Sequence, residues 1–171
     1  MNKLMELGFN TAEILHVNWS GRILFQKFIE GIDLARVLRS SLDEALATRG
    51  REIGALLARL HENGICLGDC NPSSFIFAAD SRIYIVDLEQ CSYDDSYAWD
   101  LAELLYYSAR YLKPEQEDLF FSGVIEGYAE VGNIKVVEEA MDPKYARVLA
   151  PLIFPRNPSE FREKIMRLAG R

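Results

Sequence analysis

Apolar residues change their spacing several times along this chain, and each change marks an element. Leu4, Leu7 and Phe9 recur at helical spacing, so residues 1–9 read as the end of a helix. Ala12–Trp19 and Arg22–Ile29 read as two strands joined at a Ser20-Gly21 hairpin turn, with Gly31 breaking the second strand. Ile32–Ala47 holds one or two short helices around Ser40-Ser41. In Arg51–Asn63, Ile53, Leu56, Leu57 and Leu60 fall at i, i+3, i+4 and i+7, which predicts a helix that Gly64 ends in a left-handed cap. Ser74–Ala78 and Arg82–Val86 read as short strands around the turn Ala79-Asp80-Ser81. Trp99–Leu112 is apolar nearly all round, the mark of a buried central helix, and Pro114 ends it. Helices follow at Glu115–Val131, Lys135–Met141, Lys144–Leu152 and Pro158–Leu168, the last with Asn157 as N-cap, Pro158 at N1 and Glu160 at N3.

Composition narrows the class. A chain of 171 residues, 49% hydrophobic and 26% charged, is expected to form one domain with its own core. A net charge of −7 argues against a general nucleic-acid binder, which needs a basic face. Cys66, Cys70 and Cys91 form no CxxC pair and read as reduced thiols. No secretion signal is visible and no stretch approaches the ~18 apolar residues of a membrane span, so a cytoplasmic protein is expected.

The candidate chemistry lies in one run. Leu60-His61-Glu62-Asn63-Gly64-Ile65-Cys66-Leu67-Gly68-Asp69-Cys70-Asn71-Pro72-Ser73-Ser74-Phe75-Ile76 follows a helix and leads into a strand; the next strand ends in Asp87-Leu88-Glu89. Two carboxylates at the mouths of short hairpins suit phosphoryl transfer, where one orients the attacking hydroxyl and the other holds the magnesium that bridges the nucleotide phosphates. The plainer reading is that loop aspartates cap turns. His61-Glu62 lacks the second histidine of a zinc HExxH site, since position 65 is Ile65. Ser-His-Asp chemistry has no nucleophile elbow here.

The pattern LHENGICLGDCNPSSFIF…IYIVDLEQ resembles the LHxxGIxHGDLxPSNxI…IxxIDFxx of atypical protein kinases: the RIO kinases, the small kinase of the KEOPS tRNA-modification complex and the lipopolysaccharide (Kdo) kinases. Upstream, LMELGFNTAEILHVNWSGRILFQKFIEGIDL is similar to the stretch from the αC helix to the hinge, and Trp99-Asp100-Leu101-Ala102 to the start of the αF helix. The resemblance implies an α+β, mostly α fold: a kinase-like C-terminal lobe (31–171) with a two-strand remnant of the N-terminal lobe and the hinge (1–30). It places Asp69 as the catalytic-loop aspartate, Asp87 as the magnesium ligand and Asp100 as the αF brace. Lys27, Phe28 and Ile29 fall in the adenine-binding hinge, and Ser74 stands where the second metal ligand is usually asparagine. Leu67 replaces the family's histidine.

No Gly-rich loop or β3 lysine precedes these motifs in the 171 residues, so ATP and magnesium are expected to bind weakly to this chain alone. The implied function is that of an atypical serine/threonine protein kinase. A non-catalytic pseudokinase scaffold and a small-molecule kinase of choline or aminoglycoside kinase type are the alternatives. The upper strands are expected to pair with a second copy or a partner chain, with Leu4, Leu7 and Phe9 exposed beside them.

Overall fold

The computed structural model describes residues 2–40, 43–153 and 156–170. A first short helix, α1 (Asn2–Glu6), leads through Gly8, at φ +82°, into strand β1 (Asn10–Thr11). β2 (Ile14–Asn18) and β3 (Ile23–Gln26) form an antiparallel hairpin with an irregularity between Ile14 and His16. Asn18 builds its turn: Oδ1 accepts from the Ser20 hydroxyl and the Gly21 N–H.

The second sheet was only partly foreseen. Gly31 does not merely break a strand; it opens a new one, β4 (Gly31–Asp33), which pairs antiparallel with β5 (Phe75–Ala78). A Cβ on Gly31 would stand 2.5 Å from the Phe77 carbonyl oxygen, so only glycine allows this approach. β5 pairs antiparallel with β6 (Ile83–Ile85), and β6 pairs parallel with β1, giving the order β1-β6-β5-β4.

Helix α2 (Leu34–Ser40) follows β4, and α3 spans Asp43–Glu62, starting well ahead of the Arg51 expected from periodicity. Of the Ser40-Ser41 step read between them, Ser41 lies outside the described residues. α3 extends upstream because it lies along α5 (Pro114–Val131) with very small separation. Gly50 and Gly54 face the backbone of α5, and Gly123 and Gly127 face the backbone of α3; an added Cβ at any of them would run into a carbonyl oxygen, such as that of Val124 at Gly54. α4 (Tyr97–Ala109) is buried nearly all round and packs against α6 (Lys135–Ala140) and α7 (Pro143–Ile153). α8 (Pro158–Leu168), capped by Asn157, closes onto α5 through Phe161 and Ile165. Leu4 and Phe9, expected at the surface, are buried in the same core. β1 docking on β6 pulls them in. No described helix is long and apolar enough to cross a membrane.

The glycine contact gives a stability test. Gly54→Ala gains helix propensity yet must push α3 off α5, so we expect a net loss of about 1–3 kcal/mol or more in urea unfolding. An unchanged midpoint would contradict the close approach.

Candidate active site

The loop Ile65–Asn71 runs from the end of α3 to a short 3-10 helix at Pro72–Ser74, and it is held from beneath by α4. Asp100, with no exposed surface, accepts hydrogen bonds from the backbone N–H groups of Leu67 (2.6 Å) and Gly68 (2.8 Å). Its Oδ2 also meets His61 Nε2 at 3.2 Å, and His61 Nδ1 lies 2.6 Å from the Tyr128 hydroxyl. A carboxylate only accepts, so Nε2 carries the ring proton and Tyr128 donates to Nδ1. One turn along α4, buried Glu103 accepts the Cys70 N–H at 2.8 Å, and Trp99 Nε1 donates to the Gly68 carbonyl at 3.2 Å. Gly68, at φ +76°, packs against the Gln90 backbone, where a side chain would not fit.

This clamp leaves Asp69 pointing out of the loop. Its Oδ1 is buried with no hydrogen-bond partner among the described residues. Burial, then the nearby charge of Asp87, push its carboxyl above the ordinary range. Asp87 itself is exposed and held at φ +59°, a left-handed conformation rare for a residue with a side chain. The two loops are tied together at Ser74, whose carbonyl accepts from Val86 N at 2.9 Å, and at Cys66, which exchanges backbone bonds with Ser92.

Asp87 lies on a cleft of about 500 Å³ lined by Lys3, Leu24, Gln26, Ile65, Glu89 and others. Asp69 is not among the residues lining this cleft. Ser74 is buried beneath the strand junction. Lys27, Phe28 and Ile29 line a different depression, shared with Arg82 and Tyr84, and Phe28 is 85% exposed. The structure thus brings Asp69, Asp87, Ser74 and Asp100 together and leaves the hinge residues apart.

Comparison with known proteins places the chain in a family. Residues 9–139 match the model of the APH phosphotransferase enzyme family. The chain belongs to the phosphotransferase enzyme family. It is 26% identical over 134 residues to the KEOPS complex subunit Bud32 of Pyrococcus abyssi (strain GE5 / Orsay), covering 77% of this chain and 60% of that protein. It is 33% identical over 94 residues to the "Probable serine/threonine-protein kinase BUD32 homolog" of Archaeoglobus fulgidus, covering 54% of this chain and 48% of that one. The chain therefore spans only part of the length of the curated relatives it matches. Its fold is α+β and kinase-like, with a helical lower lobe and a two-strand part of the upper lobe.

Three residues around these loops escaped the sequence reading. Glu103 reads as one more position of an apolar helix, though its place three residues after Asp100 puts both carboxyls on one face. His61 draws attention only as a failed zinc motif. Tyr128 gives no signal at all, because its pairing with His61 depends on how α5 lies against α3.

Two outcomes follow. Asp100→Asn sets an amide N–H₂ against loop N–H donors, so we expect about 2–4 kcal/mol of destabilisation in urea unfolding; a loss under about 0.5 kcal/mol would contradict the brace. Glu103 titrates at about 8, raised from 4.5 by burial. A raised folded pKa means that its contribution to stability is complete below pH 4.5 and is lost as pH rises towards 8. Glu103→Gln should therefore narrow the fall in unfolding free energy between pH 5 and 8 relative to the unsubstituted protein. Parallel curves would contradict it.

Proposed function

We propose that this site performs ATP- and magnesium-dependent phosphoryl transfer to a serine or threonine hydroxyl, as an atypical protein kinase. The observation that supports it best is the pairing of an unpartnered, half-buried Asp69 carboxylate with an exposed Asp87 on a neighbouring turn. Asp69 orients the acceptor hydroxyl and takes its proton, a task that a raised carboxyl pKa favours. Asp87 would supply the charged oxygen that magnesium needs, and Ser74 would offer a second donor. When bound, the metal neutralises charge on the phosphates. Lys27–Ile29, the hinge expected to pair with adenine, line a separate depression and take no part in this reading. The names of the curated relatives favour this reading over a small-molecule kinase or a scaffold.

Calorimetric titration of the 171-residue chain should give an ATP–magnesium affinity weaker than low micromolar. Asp87→Asn should remove the magnesium-dependent part of that binding. Asp69→Asn should leave affinity within about twofold and lower phosphoryl transfer roughly 100-fold or more. Retained metal dependence in Asp87→Asn would overturn the assignment.

The same reading extends to partners. One relative is named as a subunit of a complex, and the β2–β3 hairpin leaves Leu15, Trp19, Ile23, Leu24 and Phe25 exposed on strands whose outer edges are unpaired in the described residues. We place a protein interface there, occupied by a second copy when the chain is alone. Light scattering at micromolar concentration should exceed the 19.5 kDa of one chain, and Phe25→Glu should return it to that value. A monomer with an unchanged Phe25→Glu mass would defeat the interface.

A further inference from the structure

We propose that Lys3, on α1, is the cation that grips the nucleotide phosphates in this site. The inference rests on the phosphotransferase reading of Asp87 and adds to it a binding residue from another element. Lys3 and Asp87 line the same cleft of about 500 Å³, a volume within the usual range for small-molecule sites. Lys3 is the one cation among the described residues lining it, facing two carboxylates, Asp87 and Glu89. A divalent metal on Asp87 would offset those two charges, and among the described residues lining the cleft Lys3 is the counter-charge that remains for the multiply anionic phosphates of a nucleotide.

The position is fixed and the side chain is only loosely held. Leu4, the next residue, is buried in the core, so α1 is anchored beside the cleft. The Lys3 side chain is 61% exposed and its ion pair with Glu6 is a loose 3.8 Å contact between exposed groups. Such surface pairs are weak, so the ammonium is available to a stronger anion. A four-carbon stem with a compact charge lets lysine follow a phosphate without a fixed geometry. Leu4, Leu24, Ile65 and Leu88 also line the cleft, and their apolar surface strengthens charge pairing within it.

The test is a titration of the chain with Mn²⁺–ATP and with Mn²⁺–tripolyphosphate, followed by water-proton relaxation, for the unsubstituted protein, Lys3→Met, Lys3→Arg and Asp87→Asn. Lys3→Met should weaken both ligands about tenfold or more, the size of one charge-assisted hydrogen bond. Lys3→Arg should stay within about threefold, because charge rather than shape is required. Thermal melts of each variant confirm folding; an exposed Lys3 makes loss of the fold an unexpected result. If Asp87→Asn abolishes binding while Lys3→Met matches the unsubstituted protein, Lys3 is not the phosphate grip and the metal site stands. If Asp87→Asn also binds both ligands unchanged, the metal-site reading falls and this inference falls with it.

Discussion

Everything at the site depends on one buried carboxylate meeting backbone N–H groups. Asp100 has no exposed surface and sits within an apolar helix, where an unpaired charge would cost several kcal/mol. Its compensation comes entirely from the loop above it and from His61. The dependence runs both ways: the loop keeps the shape that presents Asp69 because Asp100 collects its N–H groups, and Asp100 is tolerable because the loop supplies them. His61 in turn is fixed by Tyr128 on α5, so the brace extends to the α3–α5 contact. Four glycines at that contact bring the two helices close enough for a tyrosine on one to reach a histidine on the other. A packing detail far from Asp69 thereby sets the geometry of the loop that carries it.

Much of this was legible in the residues. The order of α4, α5, α6, α7 and α8 follows from periodicity and from Pro114 and Asn157, which act through backbone chemistry local to the chain. The Asp69 and Asp87 loops follow from a motif whose spacing is itself a local property. What was not legible is non-local. β4 and the parallel pairing of β1 with β6 are two- and three-residue strands made by distant partners, and such short segments carry no period of their own. Leu4 and Phe9 are buried because β1 docks on β6, which no spacing within residues 1–9 encodes. The early start of α3 rests on glycines that lower helix propensity yet permit the contact with α5.

Charge distribution gives the site its logic. The chain is acidic overall, and the acidic residues around the two loops have distinct duties set by their surroundings. Asp100 is sealed and structural, Glu103 is buried and pushed to about 8, Asp69 is half-buried and raised, and Asp87 is open to solvent. On the proposed reading, a gradient from sealed to open carboxylates across two turns separates bracing, proton acceptance and metal binding. Cys70, wholly buried beside Asp69, belongs to the support, its thiol driven far from ionisation by burial.

The central claim is that Asp69 and Asp87 address one bound metal–nucleotide complex. Paramagnetic broadening of backbone amide signals by Mn²⁺–ATP reads this without requiring turnover. Signals of Gly68–Cys70 and of Val86–Glu89 should vanish together at the lowest ligand ratio, while those of α8 remain sharp. Broadening centred elsewhere, such as on the exposed Asp94-Asp95 loop, or confined to one of the two site loops, would contradict the account.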